Sequence, residues 1–484
     1  MTVSTNFQRL RFRRTKIIAT LGPASAAPEI IERLISAGVN VFRLNMSHGT
    51  HDSHRDLFKR VREISARLGT HTAILADLCG PKIRTGRFPE GAIELTPGEE
   101  VVVTSRNVEG AAGLIPSQYA LLHQDALPGY RLLLDDGRLE LEVLRVDARD
   151  ITCRVVHGGE LKDNKGINLP NARISAPALT DKDLSDAGFM LDLGVDFLAQ
   201  SFVRRASDVL VLRDMLARKG GDARIIAKLE NHEALNNAGD IIDAADGIMI
   251  ARGDLGVELQ PDEVPVAQDQ LVNHARDKRK PVIVATQRLE SMMVGLRPTR
   301  AEAGDIAHAV RSGVDALMLS GETAAGEHPV EAVQMMDRIA RHTESFMWSR
   351  GAFSSLYREE GLVRPLELHL AVARSVAQLS RDLAVRGIVV ISRGGTSASV
   401  VSSARPSSPV LAASANPVTC RRMNLNWGII PVEVPTDEIE RTQQLAAELA
   451  RDHIGAEPGE RILLLRGFNV DPNRHAPSVS VLTV

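Results

Sequence analysis

Three short segments each follow an apolar run and carry residue types that could do chemistry: Lys228-Leu229-Glu230, Ala251-Arg252-Gly253-Asp254 and Thr286-Gln287. Side chains alternate across a strand, so Lys228 and Glu230, two residues apart, share a face. A second carboxylate, Asp254, placed near Glu230 would complete a hard-cation site open to phosphate or carboxylate oxygens, with a lysine beside it. Another cluster holds Arg43, Asn45 and Ser47 at i, i+2 and i+4, and all three face one way if extended backbone persists through Ser47. Arginine grips phosphate through its planar fork, while Asn and Ser oxygens can ligate a cation. Asp77, and then Lys82 and Arg84 in Gly80-Pro81-Lys82-Ile83-Arg84, add further charge.

Each of these has a plainer reading. A Lys-x-Glu pair is commonly just an ion pair, and Arg-Gly-Asp is ordinary around turns. Position favours chemistry, because the charges fall at one end of successive apolar strands. His48, His51 and His54 have metal-like spacing, but no cysteine or matching carboxylate pattern accompanies them, so they are expected to cap and surface a helix start. Met292-Met293 and Met335-Met336 are expected to pack.

The elements that must position these residues alternate between strand and helix. Segments 16–20, 40–44 and 72–76 read as strands, with helical periodicity over 27–37 and 52–67 between them. The alternation resumes with 196–199, 224–227, 247–250, 281–284 and 316–319, giving eight βα units and predicting a closed (β/α)8 barrel with reactive residues at the carboxyl ends of its strands. Residues 81–177 read as short strands and turns, an inserted small β-barrel domain expected to act as a lid. A new α/β alternation after a loop at 349–364 predicts an open-sheet domain carrying strands at 387–391, 409–412, 428–432, 461–465 and 479–482. The expected divisions are 1–80 and 178–348 for the barrel, 81–177 for the lid and 349–484 for the carboxyl-terminal domain.

Composition bounds the function. The 484 residues are 44% hydrophobic and 25% charged, an ordinary globular balance that calls for several domains. Lysine and arginine total 58 against 61 acidic residues, a net charge of −3, which predicts neither nucleic-acid nor membrane partners. Neither a signal-peptide pattern nor an apolar run of membrane-spanning length is evident. Cys79, Cys153 and Cys420 are scattered and odd in number, and read as reduced thiols in a cytoplasmic protein.

Longer motifs resemble the pyruvate kinase family. They include Thr15-Lys-Ile-Ile-Ala-Thr-Leu-Gly-Pro-Ala24, Asn40-Val-Phe-Arg-Leu-Asn-Met-Ser-His-Gly49, Leu134-Asp-Asp-Gly137 and Asn164-Lys-Gly-Ile-Asn-Leu-Pro170. Ala227-Lys-Leu-Glu-Asn-His-Glu233, Met249-Ile-Ala-Arg-Gly-Asp-Leu-Gly-Val-Glu258, Ala285-Thr286-Gln287, Leu289-Glu-Ser-Met292, Arg297-Pro-Thr-Arg-Ala-Glu302 and Met318-Leu-Ser-Gly-Glu-Thr-Ala324 continue the series in the family's order.

The resemblance implies phosphoryl transfer from phosphoenolpyruvate to ADP, giving pyruvate and ATP through a magnesium-stabilised enolate. It implies Glu230 and Asp254 as ligands of Mg2+ or Mn2+, Arg43 on phosphate, and Lys228 neutralising the moving phosphoryl group. Gly253, Asp254 and Thr286 would hold the substrate, with Thr286 on the proton route to the enolate. Asn45, Arg84 and Lys165 would serve the nucleotide. Asn45, Ser47, Asp77 and the Leu78 carbonyl match the family's potassium site, but Lys82 replaces the glutamate of potassium-dependent members. Activity without potassium is therefore expected. Ser392, Gly395, Thr396 and Ser397 match a phosphorylated-effector position, although Arg393-Gly394 and the loop 467–475 depart from the family pattern. Arg288 and His308 also differ from the usual residues. A homotetramer is implied by the resemblance alone. Two competing readings remain at this stage: a magnesium-dependent aldol lyase, and a silent paralogue that binds metabolites through residues 387–475.

Overall fold

The computed structural model describes residues 10–170, 172, 174–356, 365–436, 442–467 and 476–484. Eight strands, β1 (Lys16–Thr20), β2 (Val41–Asn45), β3 (Ala73–Asp77), β4 (Phe197–Gln200), β5 (Arg224–Leu229), β6 (Gly247–Ala251), β7 (Val282–Ala285) and β8 (Ala316–Leu319), close into a barrel in chain order. Their continuous burial explains the unbroken apolar runs, since a parallel sheet covered on both faces leaves no polar side. Helices connect the strands, and local chemistry starts them. Thr50 and Ser53 form a reciprocal capping box on helix His51–Arg67, while Thr299 and Glu302 do the same for Arg300–Ser312.

The chain divides into two compact units. The first comprises Met1–Asp77, Met190–Leu198 and Val272–Val484. It includes a five-stranded sheet of β9 (Gly387–Ile391), β10 (Val410–Ser414), β11 (Ile429–Glu433), β12 (Arg461–Arg466) and β13 (Ser478–Thr483), in the order β11-β10-β9-β12-β13. Only β13 runs antiparallel, against β12. Arg405 anchors this domain to β8 through a buried two-pronged pair with Asp315, at 2.9 and 3.0 Å. Lys16, at the start of β1, is buried and donates to the Ile429 carbonyl, and burial pulls its ammonium down to about 7.

The second unit comprises Leu78–Phe189 and Ala199–Leu271. Its inserted segment holds a six-stranded sheet (167–168, 131–134, 139–147, 150–157, 100–104 and 114–116, in that order) and a two-stranded ladder (159–162 with 92–95). Both sheets share one apolar core, including Leu95, Val103, Leu132, Leu141, Ile151 and Leu161. The chain leaves the barrel near Gly80 and returns near Thr180, and Asp183 clasps both crossings. This fully buried carboxylate accepts the Gly80 N–H at 2.9 Å, the Thr180 N–H at 2.9 Å and the Thr180 hydroxyl at 2.6 Å.

Candidate active site

The residues singled out above fall into groups within each unit. In the second unit, Lys228 is the last residue but one of β5 and Glu230 follows the strand, with Lys228 Nζ 3.0 Å from Glu230 Oε1. The expected shared face is present, and the ion pair of the plainer reading is present with it. Glu230 Oε2 also accepts the Phe202 N–H at 2.6 Å. Burial pushes the Glu230 carboxyl above its ordinary range; Lys228 opposes that shift and the nearby charge of Asp254 adds to it. Gly253 and Asp254 lie in the first turn of the short helix Arg252–Glu258, and Lys82 Nζ stands 3.6 Å from Asp254 Oδ1.

This donor set fits a divalent metal. Two hard carboxylates act electrostatically against one another, a cost that a cation between them would cancel. Among the described residues no cluster of three or more His, Cys, Asp or Glu is arranged to hold a metal. Magnesium commonly uses one or two carboxylates and takes its remaining oxygens from substrate and water.

Arg84 and Lys165 lie on paired segments. Arg84 bridges Gly166, the Thr85 N–H donates to the Lys165 carbonyl at 2.8 Å, and Arg84 donates to the Asn164 carbonyl at 3.0 Å. Lys165 Nζ meets Asp135 at 2.7 Å. A cavity of about 340 Å³ adjoins Lys82 and Glu230, walled by Ile83, Ile167 and Leu169, with Asn168 and Glu258 among its polar residues.

In the first unit, Arg43 Nε meets Asp77 Oδ2 at 2.7 Å and its fork donates to Thr20 Oγ1 at 3.2 Å. The ends of β1 and β3 therefore fix one guanidinium carried by β2. Ser47 corrects the sequence reading. Strand β2 stops at Asn45, whose side-chain oxygen accepts the Ser47 N–H at 3.2 Å and turns the chain. Ser47 is consequently exposed on a turn and does not continue the i, i+2, i+4 face. Of the residues read as potassium donors, Asp77 is engaged here by Arg43 and Asn45 by Ser47; within the second unit the Leu78 carbonyl accepts the Ser201 hydroxyl at 2.7 Å.

Thr286 and Gln287 follow β7 with φ of +66° and +52°. Two consecutive left-handed residues without glycine, the first β-branched, mark stored backbone strain at a strand end. Arg288 is fully buried and donates to Asp305 at 2.6 Å. A larger cleft of about 1010 Å³ lies elsewhere in this unit, at the amino ends of β1–β3 beside Lys16, Asn40 and Thr72.

In the carboxyl-terminal sheet, β9 runs into Ser392 and then helix Thr396–Ser403, whose N-cap Gly395 has φ +86°. Ser392 and Ser397 are buried, and Ser392 Oγ has no hydrogen-bond partner among the described residues. Of the loop 467–475, residues 468–475 lie outside the described residues. His54 is buried with Nε2 2.8 Å from the His48 carbonyl, and Thr50 supplies the helix cap, so the three histidines form no cluster. Met292 and Met336 are buried, as packing requires. All three cysteines are free thiols, and burial pushes Cys153 and Cys420 up to about 12.

Sequence reasoning passes over Ser201, Phe202 and Asp183. Gln200-Ser201-Phe202 carries no charge, but its place just past β4 is itself a signal, because barrel chemistry gathers at strand ends.

Known proteins resemble the chain in sequence and fold. Residues 12–333 match the family model "Pyruvate kinase, barrel domain", and residues 370–482 match "Pyruvate kinase, alpha/beta domain". The chain is 44% identical to a pyruvate kinase of Staphylococcus saprophyticus over 87% of its length and 72% of the relative's. It is 42% identical to that of Staphylococcus aureus over the same shares. A crystal structure of a pyruvate kinase from Cryptosporidium parvum superposes with a TM-score of 0.90 at 33% identity, covering 97% of this chain and 96% of that one. No helix among the described residues is long and apolar enough to cross a membrane. The chain belongs to the pyruvate kinase family and is a phosphotransferase.

Proposed function

We propose that this chain transfers the phosphoryl group of phosphoenolpyruvate to ADP, as a cytoplasmic glycolytic enzyme. The bond between phosphorus and the enol oxygen breaks, a bond from phosphorus to a β-phosphate oxygen of ADP forms, and the enolate carbon takes up a proton to give pyruvate. The single observation that carries this reading is the Lys228–Glu230 pair with Asp254 beside it. Phosphoryl transfer needs positioning and positive charge more than covalent help.

Glu230 and Asp254 would hold Mg2+ or Mn2+, which when bound supplies Lewis-acid charge to the substrate oxygens. Lys228 places an ammonium against the transferring group, and Arg43, fixed by Asp77 and Thr20, binds phosphate. The first-turn backbone of Gly253 and the Thr286 hydroxyl orient the substrate carboxylate, with Thr286 on the proton route. Asn45, Arg84 and Lys165 bind the nucleotide, the last two from residues 81–177 acting as a lid. Lys82 supplies a fixed cation beside Asp254, so potassium at Asn45, Ser47, Asp77 and Leu78 is not required.

Residues 349–484 form a regulatory domain in which Ser392, Gly395, Thr396 and Ser397 take a phosphorylated effector; the unpartnered, buried Ser392 hydroxyl supports that reading. The working assembly is a homotetramer. The test is pyruvate formation from phosphoenolpyruvate with magnesium, with and without ADP, in potassium and in sodium salts. ADP-dependent turnover in both salts is expected, and its absence from both, with candidate phosphorylated activators included, overturns the reading.

A further inference from the structure

Ser201 is the first residue past β4 and is buried. Its hydroxyl accepts a hydrogen bond from Lys228 Nζ at 2.6 Å and donates one to the Leu78 carbonyl at 2.7 Å. A hydroxyl has one proton, so spending it on Leu78 leaves the oxygen's lone pairs for the ammonium. Ser201 and Glu230, the latter 3.0 Å from the ammonium, are thus both anchors of Lys228.

Leu78 lies two residues before Gly80, whose φ is +69° and where a Cβ would meet Ser201 Cβ and the Phe202 ring at 2.9 Å each. Only glycine lets the backbone pass so close. Asp183 then holds the Gly80 N–H at 2.9 Å.

We propose that Ser201 is a positioning residue whose single hydroxyl sets the Lys228 ammonium and ties it to the backbone at the root of the inserted domain. The inference rests on the role given to Lys228 above. A lysine on its flexible four-carbon stem loses little by swinging about one carboxylate, and transfer chemistry falls steeply with misplacement of about 1 Å. Ser201 removes that freedom without touching substrate.

The test compares the full chain with Lys228→Met, Ser201→Ala, Ser201→Thr and Ser201→Val in steady-state turnover of phosphoenolpyruvate and ADP. Thr and Val share a shape and differ by the hydroxyl, so that pair decides the matter even if Ser201→Ala folds poorly. Lys228→Met is expected to abolish turnover. Ser201→Ala and Ser201→Val are expected to lose ~10-fold or more in kcat with KM for phosphoenolpyruvate within ~3-fold, and Ser201→Thr to recover most of the loss. Full activity in Lys228→Met sinks the proposed function and this inference with it. An inactive Lys228→Met alongside equal kcat in Ser201→Thr and Ser201→Val, or a loss confined to KM, sinks the Ser201 role alone.

Discussion

Lys82 Nζ stands 3.6 Å from Asp254 Oδ1, so an ammonium at the root of the inserted domain faces a carboxylate just past β6. Lys82→Glu would place two carboxylates together and remove that cation. Native turnover is expected to be equal within about twofold in sodium and potassium, whereas Lys82→Glu loses ~10-fold or more in sodium and regains it in potassium. Rates in the two chloride salts decide this. A native enzyme that works only in potassium refutes it.

Glu230→Gln removes one of the two carboxylates proposed to hold a divalent ion. Outer partners of a metal ligand typically cost 10- to 100-fold, and a direct ligand should cost ~100-fold or more in apparent metal affinity. Titrating turnover with magnesium and manganese measures the shift.

Burial raises the Glu258 carboxyl above its ordinary 4.5, with the Asn168 side-chain and His232 backbone hydrogen bonds pulling the other way. Between 4.5 and the raised value, the folded state keeps a proton that the unfolded chain has released, so stability falls as pH rises through that window. Below and above it this residue contributes no slope. Glu258→Gln should unfold at about the native temperature at pH 4 and at a higher one at pH 8, read by thermal melts across pH.

Arg405 and Asp315 are both buried, at 2% and 6% side-chain exposure, and share two hydrogen bonds. Arg405→Ala leaves Asp315 charged and buried, with the Trp427 N–H at 3.1 Å as a remaining partner. The expected loss is about 3–5 kcal/mol, seen as an earlier first transition in denaturant.

Thr286→Gly relieves left-handed strain while freeing more chain entropy on unfolding, and these effects roughly offset. The melting temperature should hold within about 2 °C while turnover falls ~10-fold or more.

The barrel was legible because strands buried on both faces leave unbroken apolar runs: β1 and β8 have the predicted bounds, and the others differ by one or two residues. Lys228 and Glu230 were legible because strand alternation dictates their common side. Ser47 misled, since an Asn side chain capturing a backbone N–H two residues on ends a strand without any apolar signal. The strain at Thr286 is a backbone property that residue type does not announce. Ser201 reaches the Leu78 carbonyl 123 positions away and Asp183 the Gly80 N–H 103 positions away, bonds that local pattern does not encode.

The clasp at Asp183 also bears on how the chain is made. β3 and β4 are neighbours in the closed barrel, yet about 120 residues separate them, and a ribosome adding about 5–20 residues per second needs roughly ten seconds to bridge that gap. Throughout that interval the buried surface of β3 has no partner on one side, an exposed edge of the kind that nucleates aggregation. Once residues 180–183 have emerged and the inserted segment has folded, the carboxylate can latch Gly80 and Thr180 together, a ring closure that would bring β4 to the waiting edge. The cell's chaperones would therefore be needed chiefly in the middle of synthesis, before that ring shuts.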